Sequence, residues 1–214
     1  MNRHRLKELI AGGESSTVEF KRKFTSPVKM AKEIAAFANT SGGWLIVGVD
    51  DNKKIYGVDS EKEQADLIST AAEFYLDPPV ELSVEIINIE WKEVVVVRVE
   101  ESDRKPHIIT GDPEHPGEKR AYVRHNDESV LASKEMLRLL SGRNVHTAPM
   151  TLHIGDRERR LFSYLEETGR ITVAEFADLV NISKRRASQI LVRLVRADVL
   201  LMYTDRQNEY FTLA

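Results

Sequence analysis

Residues 18–51 read VEFKRKFTSPVKMAKEIAAFANTSGGWLIVGVDD, and four consecutive signals in this stretch decide the fold. Val18 and Phe20 alternate with charged residues, which predicts a short strand. Ser26 and Pro27 then begin a helix, because serine caps free backbone N–H groups and proline fits the first helical turn. The glycine pair 42–43 predicts the end of that helix, and the apolar run 44–49 predicts a strand buried on both faces.

Further elements extend this pattern on both sides. Amphipathic helices are predicted over 3–11, over 60–76, where Ser60 and Glu63 match a capping box, and over 133–141. Strands are predicted at 55–58, paired with the preceding strand, at 80–89 and 94–100 as a hairpin, and at 121–124, with a polar loop over 102–119. The sequence therefore predicts an α+β domain, a mixed sheet with flanking helices, over residues 1–142.

The pattern changes after residue 142. Residues 143–151 lack periodicity and include Pro149, so a linker is predicted there. Over 152–214 the sequence predicts three amphipathic helices followed by two short strands, with Thr172 and Glu175 as a capping box for the second helix. This order is that of a small winged helix-turn-helix domain, and the region resembles that superfamily in architecture more than in any exact motif.

Five short motifs follow one another in the first domain. They are E-F-K at 19–21, A-F-A-N-T-S-G-G at 36–43, I-V-G-V-D-D at 46–51, I-Y-G-V at 55–58 and Y-V-R-H-N at 122–126. As an ordered set they resemble the Schlafen/Alba-like domain of many bacterial transcriptional regulators and of vertebrate Schlafen proteins. The resemblance covers roughly residues 8–140, on the usual scale of one domain, and implies a mixed α/β fold that binds nucleic acid. Some vertebrate members are metal-dependent RNA endonucleases.

Composition restricts the class of protein. The chain has 214 residues, 42% of them hydrophobic and 30% charged, which is typical of folded globular domains. It has no cysteine, which excludes disulfides and thiolate metal sites and fits a reducing compartment. No apolar run has the length of a signal peptide or a membrane span, so we expect a cytoplasmic protein without membrane contact. A net charge of −3 requires any nucleic-acid surface to be a local patch.

The third helix of the small domain is the predicted DNA-reading helix. Arginine can bridge guanine edges or phosphates with two donors, and glutamine can pair with adenine. Residues of these types lie off or beside the apolar stripe, and Arg206 lies at the hairpin tip; the helix candidates are Lys184, Arg185, Arg186, Ser188, Gln189 and Arg193. The alternatives are a merely solvated helix face or a dimerisation domain. Duplex DNA is the expected partner, ahead of RNA.

Acidic residues of the large domain suggest a second function. Glu14 and Glu19 have the spacing of the catalytic glutamates in nuclease-active Schlafens, and the resemblance implies Asp50 or Asp51 as the third carboxylate. Under this alternative Glu14, Glu19 and Asp50 would bind Mg²⁺ or Mn²⁺, since hard cations prefer oxygen ligands; no cofactor is expected otherwise. Glu19 could instead pair with a lysine, Glu14 could cap a turn, and the aspartates are ordinary hairpin residues.

Three basic residues of the large domain are candidate phosphate contacts: Lys21, Lys23 and Arg124. Vertebrate nucleases of this family pair two such modules in tandem, whereas one module is present here, so we expect a homodimer. His107, Asp112 and His115 share one loop and could bind a metal, although solvated loop residues are the preferred interpretation. The sequence thus predicts a DNA-binding transcriptional regulator, with a metal-dependent endonuclease as the alternative.

Overall fold

A computed structural model describes residues 1–142, 154–205 and 208–214. The chain divides into two compact units, Met1–Ser133 and Lys134–Ala214, and each is described by itself. The predicted linker, 143–151, lies outside the described residues. In the described part of the chain, no helix combines the length and the apolar content that crossing a bilayer requires.

Unit 1 (Met1–Ser133) is an α+β unit, as predicted. Its elements in chain order are α1 (Arg3–Gly12), β1 (Val18–Lys21), α2 (Pro27–Asn39), β2 (Gly43–Val47), α3 (Glu61–Phe74), β3 (Leu76–Asp77), β4 (Leu82–Ile89), β5 (Lys92–Val99), β6 (Ile108–Ile109), β7 (Arg120–His125) and β8 (Glu128–Leu131). The first sheet has the order β1-β2-β5-β4, in which β1 and β2 are parallel and the other pairs antiparallel. The sheet is therefore mixed.

The first sheet lies between two layers of helix. One face packs Leu45, Val47 and Val97 against α2 and α3, and the opposite face packs Ile46 and Val96 against α1. Because β2 and β5 occupy the two central positions, their side chains are buried on both faces, which explains the nearly continuous apolar sequence of each strand.

Helix α2 is almost wholly buried because a second sheet covers its other side. This sheet has the order β3-β6-β7-β8, and Tyr122 of β7 belongs to the same apolar cluster as α2. Ser26 caps the helix by accepting the backbone N–H of Lys29. A helix enclosed in this way needs apolar residues on most of its circumference, which the A-A-F-A segment supplies.

Several local expectations are corrected by the structure. The pairing after β2 is one isolated bridge, Val49 with Ile55, and not a full hairpin. Helix α2 ends at Asn39, three residues before the glycine pair. Gly42 has the predicted left-handed backbone, with a φ of 68°, and its N–H bonds the carbonyl of Phe37. It also permits a close approach, since a Cβ on Gly42 would lie 2.6 Å from the carbonyl oxygen of Val99. Ser60 occupies the N-cap position of α3, but its side chain makes no capping bond.

Unit 2 (Lys134–Ala214) contains helices and one two-stranded antiparallel sheet. The elements are α4 (Lys134–Gly142), α5 (Asp156–Thr168), α6 (Val173–Leu179), α7 (Lys184–Arg196), β9 (Leu200–Asp205) and β10 (Asn208–Leu213). The predicted capping box of α6 is present, since Thr172 accepts from the backbone N–H of Glu175 and Glu175 accepts in return. Leu161, Phe176, Leu191 and Phe211 are the centre of its core.

Candidate nucleic-acid interface

Helix α7 has one apolar face and one basic face. Ser183 caps it by accepting the backbone N–H of Arg186. Ala187, Leu191 and Leu194 are 0–1% exposed and belong to the core of unit 2. The sequence of the helix, KRRASQILVRLVR, contains no acidic residue, so nothing within the helix neutralises its charge.

The opposite face of α7 is open to solvent. The exposed polar side chains in its first three turns are Lys184, Arg185, Arg186, Gln189 and Arg193. Within the described ranges, Lys184, Arg185 and Arg186 have no ion-pair partner, whereas Nη2 of Arg193 lies 3.4 Å from Oε1 of the buried Glu158. The helix therefore begins with three uncompensated positive charges beside its own positive dipole end.

A cleft of about 700 Å³ adjoins this basic face. It lies between the first turn of α5 and the first half of α7, and both elements belong to unit 2. Its lining combines four guanidinium groups with two carboxylates and includes Arg157, Glu158, Arg185, Arg186, Gln189 and Arg193. Such a cleft offers two-donor contacts to phosphate or to base edges.

Ser188 and Arg206 are the two remaining predicted DNA contacts of unit 2. Ser188 is only 2% exposed, and its hydroxyl donates to Glu135 of α4 at 2.5 Å and accepts from Arg138. This serine therefore faces α4 and not the exposed side of α7, contrary to the expectation that it lies on the reading surface. Arg206, predicted at the hairpin tip, lies outside the described residues.

Arg124 is the centre of a buried ion network in unit 1. Its side chain is 0% exposed, and its Nη1 donates to Oε2 of Glu19 at 2.8 Å and to Oγ of Ser129 at 3.1 Å. Its Nη2 donates to the backbone carbonyls of Ser15 and Asp127. The arginine thus joins β1, β7 and the turn after β7. The sequence suggested Arg124 as a phosphate contact, but a guanidinium enclosed in this way is not open to a phosphate.

Glu19 and Glu33 complete that network. Glu19 holds Arg124 with one oxygen and Nζ of Lys21 with the other. Glu33 of α2 is 8% exposed and accepts a hydrogen bond from Ser129 at 2.5 Å. Lys21 is thereby drawn towards two carboxylates, whereas Lys23 stays exposed. Of these two predicted phosphate contacts, Lys21 is therefore engaged with carboxylates, and Lys23, which follows β1, is open to solvent.

Two other candidate metal ligands, Glu14 and Asp50, already accept hydrogen bonds from backbone N–H groups. Oε1 of Glu14 accepts the N–H of Phe20 at 2.9 Å, and Oδ1 of Asp50 accepts the N–H of Lys54 at 2.9 Å. Desolvation raises the pKa of Glu14, and the charges of Glu19 and Asp51 raise it further. Negative charge is therefore already unfavourable around Glu14, but in the described part of the chain the ligand atoms of Glu14, Glu19 and either aspartate do not lie within 4.8 Å of one another.

A different group of side chains has the spacing of metal ligands. In the described part of the chain, ligand atoms of three such residues lie within 4.8 Å of one another at Asp112, Glu114 and His115. Arg120 already occupies this group, because its Nη1 lies 3.1 Å from Oδ2 of Asp112 and 2.6 Å from Nδ1 of His115. The arrangement is a surface ion pair that closes the loop before β7.

A basic surface with an aromatic ring follows β1, and sequence reasoning missed most of it. The guanidinium carbon of Arg22 lies 4.1 Å from the ring centre of Tyr56, and Nζ of Lys54 lies 4.9 Å from it. Arg22, Lys23 and Tyr56 also line a cleft of about 550 Å³. The sequence contained a signal for this surface, the run K-R-K at the end of a short strand. Only its two lysines were predicted as phosphate contacts, and Arg22 was missed.

Comparison with known proteins gives a family match and several similar solved structures, two of which are described. The family model described as Schlafen, AlbA_2 matches residues 14–133, which is more than half of the chain. The DIP2311 protein of Corynebacterium diphtheriae is 20% identical over 63% of this chain, with a TM-score of 0.47, and the match spans 30% of that protein. The N-terminal domain of a RecG-related protein from Nitrosomonas europaea is 21% identical over 56% of this chain and 86% of that domain, with a TM-score of 0.41.

Proposed function

The chain belongs to the Schlafen AlbA_2 family, and we propose that it is a DNA-binding transcriptional regulator that reads duplex DNA with helix α7. The observation that carries this proposal is the row of exposed, unpaired cations at the start of α7. Unit 2 supplies the elements of a winged helix-turn-helix: α6, a short turn, α7 and the β9–β10 hairpin. In that arrangement the second helix of the pair enters the major groove with its N-terminal residues at the base edges.

The geometry of α7 suits this role. Its buried face is used by the core of unit 2, so the polar face can enter a groove without unfolding anything. Arg185 and Gln189 are four residues apart and therefore lie one turn apart on the same side of the helix. Each two-donor contact of this kind contributes on the order of 1–3 kcal/mol of base discrimination.

Unit 1 supports the proposal with a second basic surface. Arg22 and Lys23 are exposed at the end of β1, and Arg22 stacks on Tyr56. Exposed cations beside an aromatic ring suit the phosphate backbone and unpaired bases better than they suit a protein partner. We assign this surface to phosphate contacts that do not depend on base sequence.

The proposal is tested by fluorescence anisotropy with a labelled DNA duplex and the full chain. We expect Arg185→Ala to weaken binding by about 10- to 100-fold, because a guanidinium contact to bases or phosphate is lost. Arg160→Ala is the matched control: this arginine is also exposed in unit 2, but it lies on α5 outside the cleft. Its loss should change affinity less than threefold.

The same anisotropy assay can be repeated at several salt concentrations and with an RNA duplex. Affinity should fall steeply with salt, and Arg185→Ala should reduce the slope of log affinity against log salt by about one unit. An RNA duplex of the same sequence should bind more weakly, because its narrow major groove does not admit a helix. Equal losses for Arg185→Ala and Arg160→Ala would remove α7 from the account.

A metal-dependent endonuclease remains the second candidate, for one reason. The charges of Glu19 and Asp51 both raise the pKa of Glu14, so these carboxylates act on one another electrostatically, although in the described part of the chain their ligand atoms do not come together within 4.8 Å. A bound Mn²⁺ would relieve their repulsion, but it would have to compete with Arg124 and Lys21 for Glu19. Under this proposal, tRNA and single-stranded DNA are cleaved with Mn²⁺ and not with EDTA, and Glu14→Gln abolishes cleavage. Cleavage that survives Glu14→Gln would exclude the acidic site.

A further inference from the structure

We propose that two copies of this chain associate through β4, the edge strand of the first sheet, in an antiparallel pair about a two-fold axis. Strand β4 is the last in the order β1-β2-β5-β4, so one side of its backbone has no neighbouring strand in unit 1. It is eight residues long, LSVEIINI, and contains no proline or lysine. Natural edge strands usually carry such residues, or are short, to prevent pairing with another chain.

The turn between β4 and β5 determines which backbone groups face outward. Glu90 and Trp91 form a two-residue turn with φ values of 53° and 67°, which makes Ile89 and Lys92 a hydrogen-bonded pair. Hydrogen bonds to β5 then alternate along the strand, so the backbone groups of Val84, Ile86 and Asn88 point away from β5. In the described part of the chain these groups have no backbone partner.

Exposed apolar side chains follow the same edge. Trp91 is 96% exposed at the end of the hairpin, Phe74 is 67% exposed at the end of α3, and Ile86 is 43% exposed between them. Phe74 lies near the start of β4, because the backbone N–H of Val80 donates to the carbonyl of Ala72. Turns of this type prefer asparagine and glycine, so the turn itself does not explain the tryptophan.

A second copy of the same edge is the occupant that fits this pattern. A two-fold axis at Ile86 places Ile86 opposite its own equivalent and brings the hairpin tip of each copy to the strand start of the other. In this register Trp91 lies opposite Glu81 of the second copy, near Phe74. Moving the axis to Glu85 would place two carboxylates opposite each other, which is unfavourable.

The surface is large enough for a stable pair. Buried aromatic side chains contribute about 150–250 Å² each, and the arrangement covers two tryptophans and two phenylalanines. With two eight-residue strands added, the buried area exceeds the roughly 1,000 Å² that a specific interface requires. By contrast β8, the edge of the second sheet, has four residues and one strongly exposed apolar side chain, Leu131 at 54%.

The absence of cysteine from the natural sequence gives a direct test. Ile86→Cys places two thiols across the axis, where Cα atoms of a hydrogen-bonded antiparallel pair are about 5.5 Å apart and within reach of a disulfide. We expect mild oxidation or a short bis-maleimide to convert most of the Ile86→Cys chain into a covalent dimer. Leu131→Cys, at a somewhat more exposed position on the edge of the second sheet, is the control and should cross-link at least tenfold less.

Sedimentation velocity provides the independent measurement on the chain without cysteine. We expect a dimer at micromolar concentration, and at least a tenfold weaker association for Trp91→Lys than for Leu131→Lys. A monomer at tens of micromolar, or equal cross-linking of the two cysteine variants, would overturn the proposal. Neither measurement contains nucleic acid, so failure here and failure of DNA binding are separate results.

Discussion

Arg124 and Arg185 are the same residue type in two regions of the molecule with opposite surroundings. Arg124 has a side chain 0% exposed and bonded to Glu19, Ser129 and two backbone carbonyls. Arg185 is exposed on α7 and, in the described part of the chain, has no ion-pair partner. The first holds the fold together, whereas the second is free to bind something else.

A basic residue in a family motif is therefore not by itself a phosphate contact, as the buried Arg124 shows. Burying a guanidinium requires nearly all of its donors to be satisfied, and unit 1 supplies acceptors from β1, α2 and the turn after β7. Once those acceptors are present, removing the arginine takes from the buried Glu19 and Glu33 the cation that joins them to β7. The Y-V-R-H-N motif therefore records a structural requirement of the fold.

The largest effect on stability is expected from removing Arg124, the buried arginine of the pair. Arg124→Ala should lower the free energy of unfolding by about 3–5 kcal/mol, because Glu19 and Glu33 would remain buried with Lys21 as their one nearby cation among the described residues. Both tryptophans of the chain, Trp44 and Trp91, lie in unit 1, so fluorescence during urea denaturation reports the stability of that unit.

Arg185→Ala is the control for that measurement. Loss of an exposed side chain without a partner should change stability by no more than about 0.5 kcal/mol. A loss below about 1 kcal/mol for Arg124→Ala, comparable to that of the control, would show that the network contributes little and would open Arg124 again as a binding residue.

A smaller effect is expected in the pH dependence of the stability of unit 1, which contains the buried His107. Burial lowers the pKa of His107 below its ordinary value of 6.5, although the carbonyl of Pro78 opposes this. Below about pH 6.5 the unfolded chain therefore binds a proton that the folded chain does not, so the free energy of unfolding should fall as the pH falls. His107→Gln should reduce this dependence in the tryptophan signal of unit 1.

Exposed histidine supplies the comparison for the pH experiment. His4 on α1 has a side chain 86% exposed, and His4→Gln should leave the acid dependence as it is in the natural chain. If His107→Gln and His4→Gln give the same curve as the natural sequence, the buried imidazole is not the source of the acid sensitivity.

Local pattern was enough to predict much of the fold. The buried strand β2, the β4–β5 hairpin, the capping residues Ser26 and Thr172 and the helices α5, α6 and α7 follow from periodicity, turn residues and caps within short windows. Strands β6 and β8 were missed because they have two and four residues and occur among polar loop residues. Short strands of this kind are specified by their partners in the second sheet more than by their own sequence.

The network around Arg124 could not be predicted in the same way. Glu19 and Arg124 are 105 residues apart, and nothing within either motif indicates the other. One signal was available: Tyr122 and Arg124 lie on the same face of β7, so a strand that buries the tyrosine also buries the arginine. Asn39 gives a similar lesson, because its amide bonds the backbones of His107 and Tyr122 and thereby explains the asparagine of the A-F-A-N motif structurally.

If the exposed face of α7 lies against DNA, bound DNA should protect a thiol placed on that face from chemical labelling. Gln189→Cys introduces a single cysteine on that face, and Arg160→Cys introduces one on α5 outside the cleft. We predict that a saturating DNA duplex slows maleimide labelling at position 189 by at least tenfold and leaves position 160 unchanged. Equal labelling rates at position 189 with and without bound DNA would contradict the account.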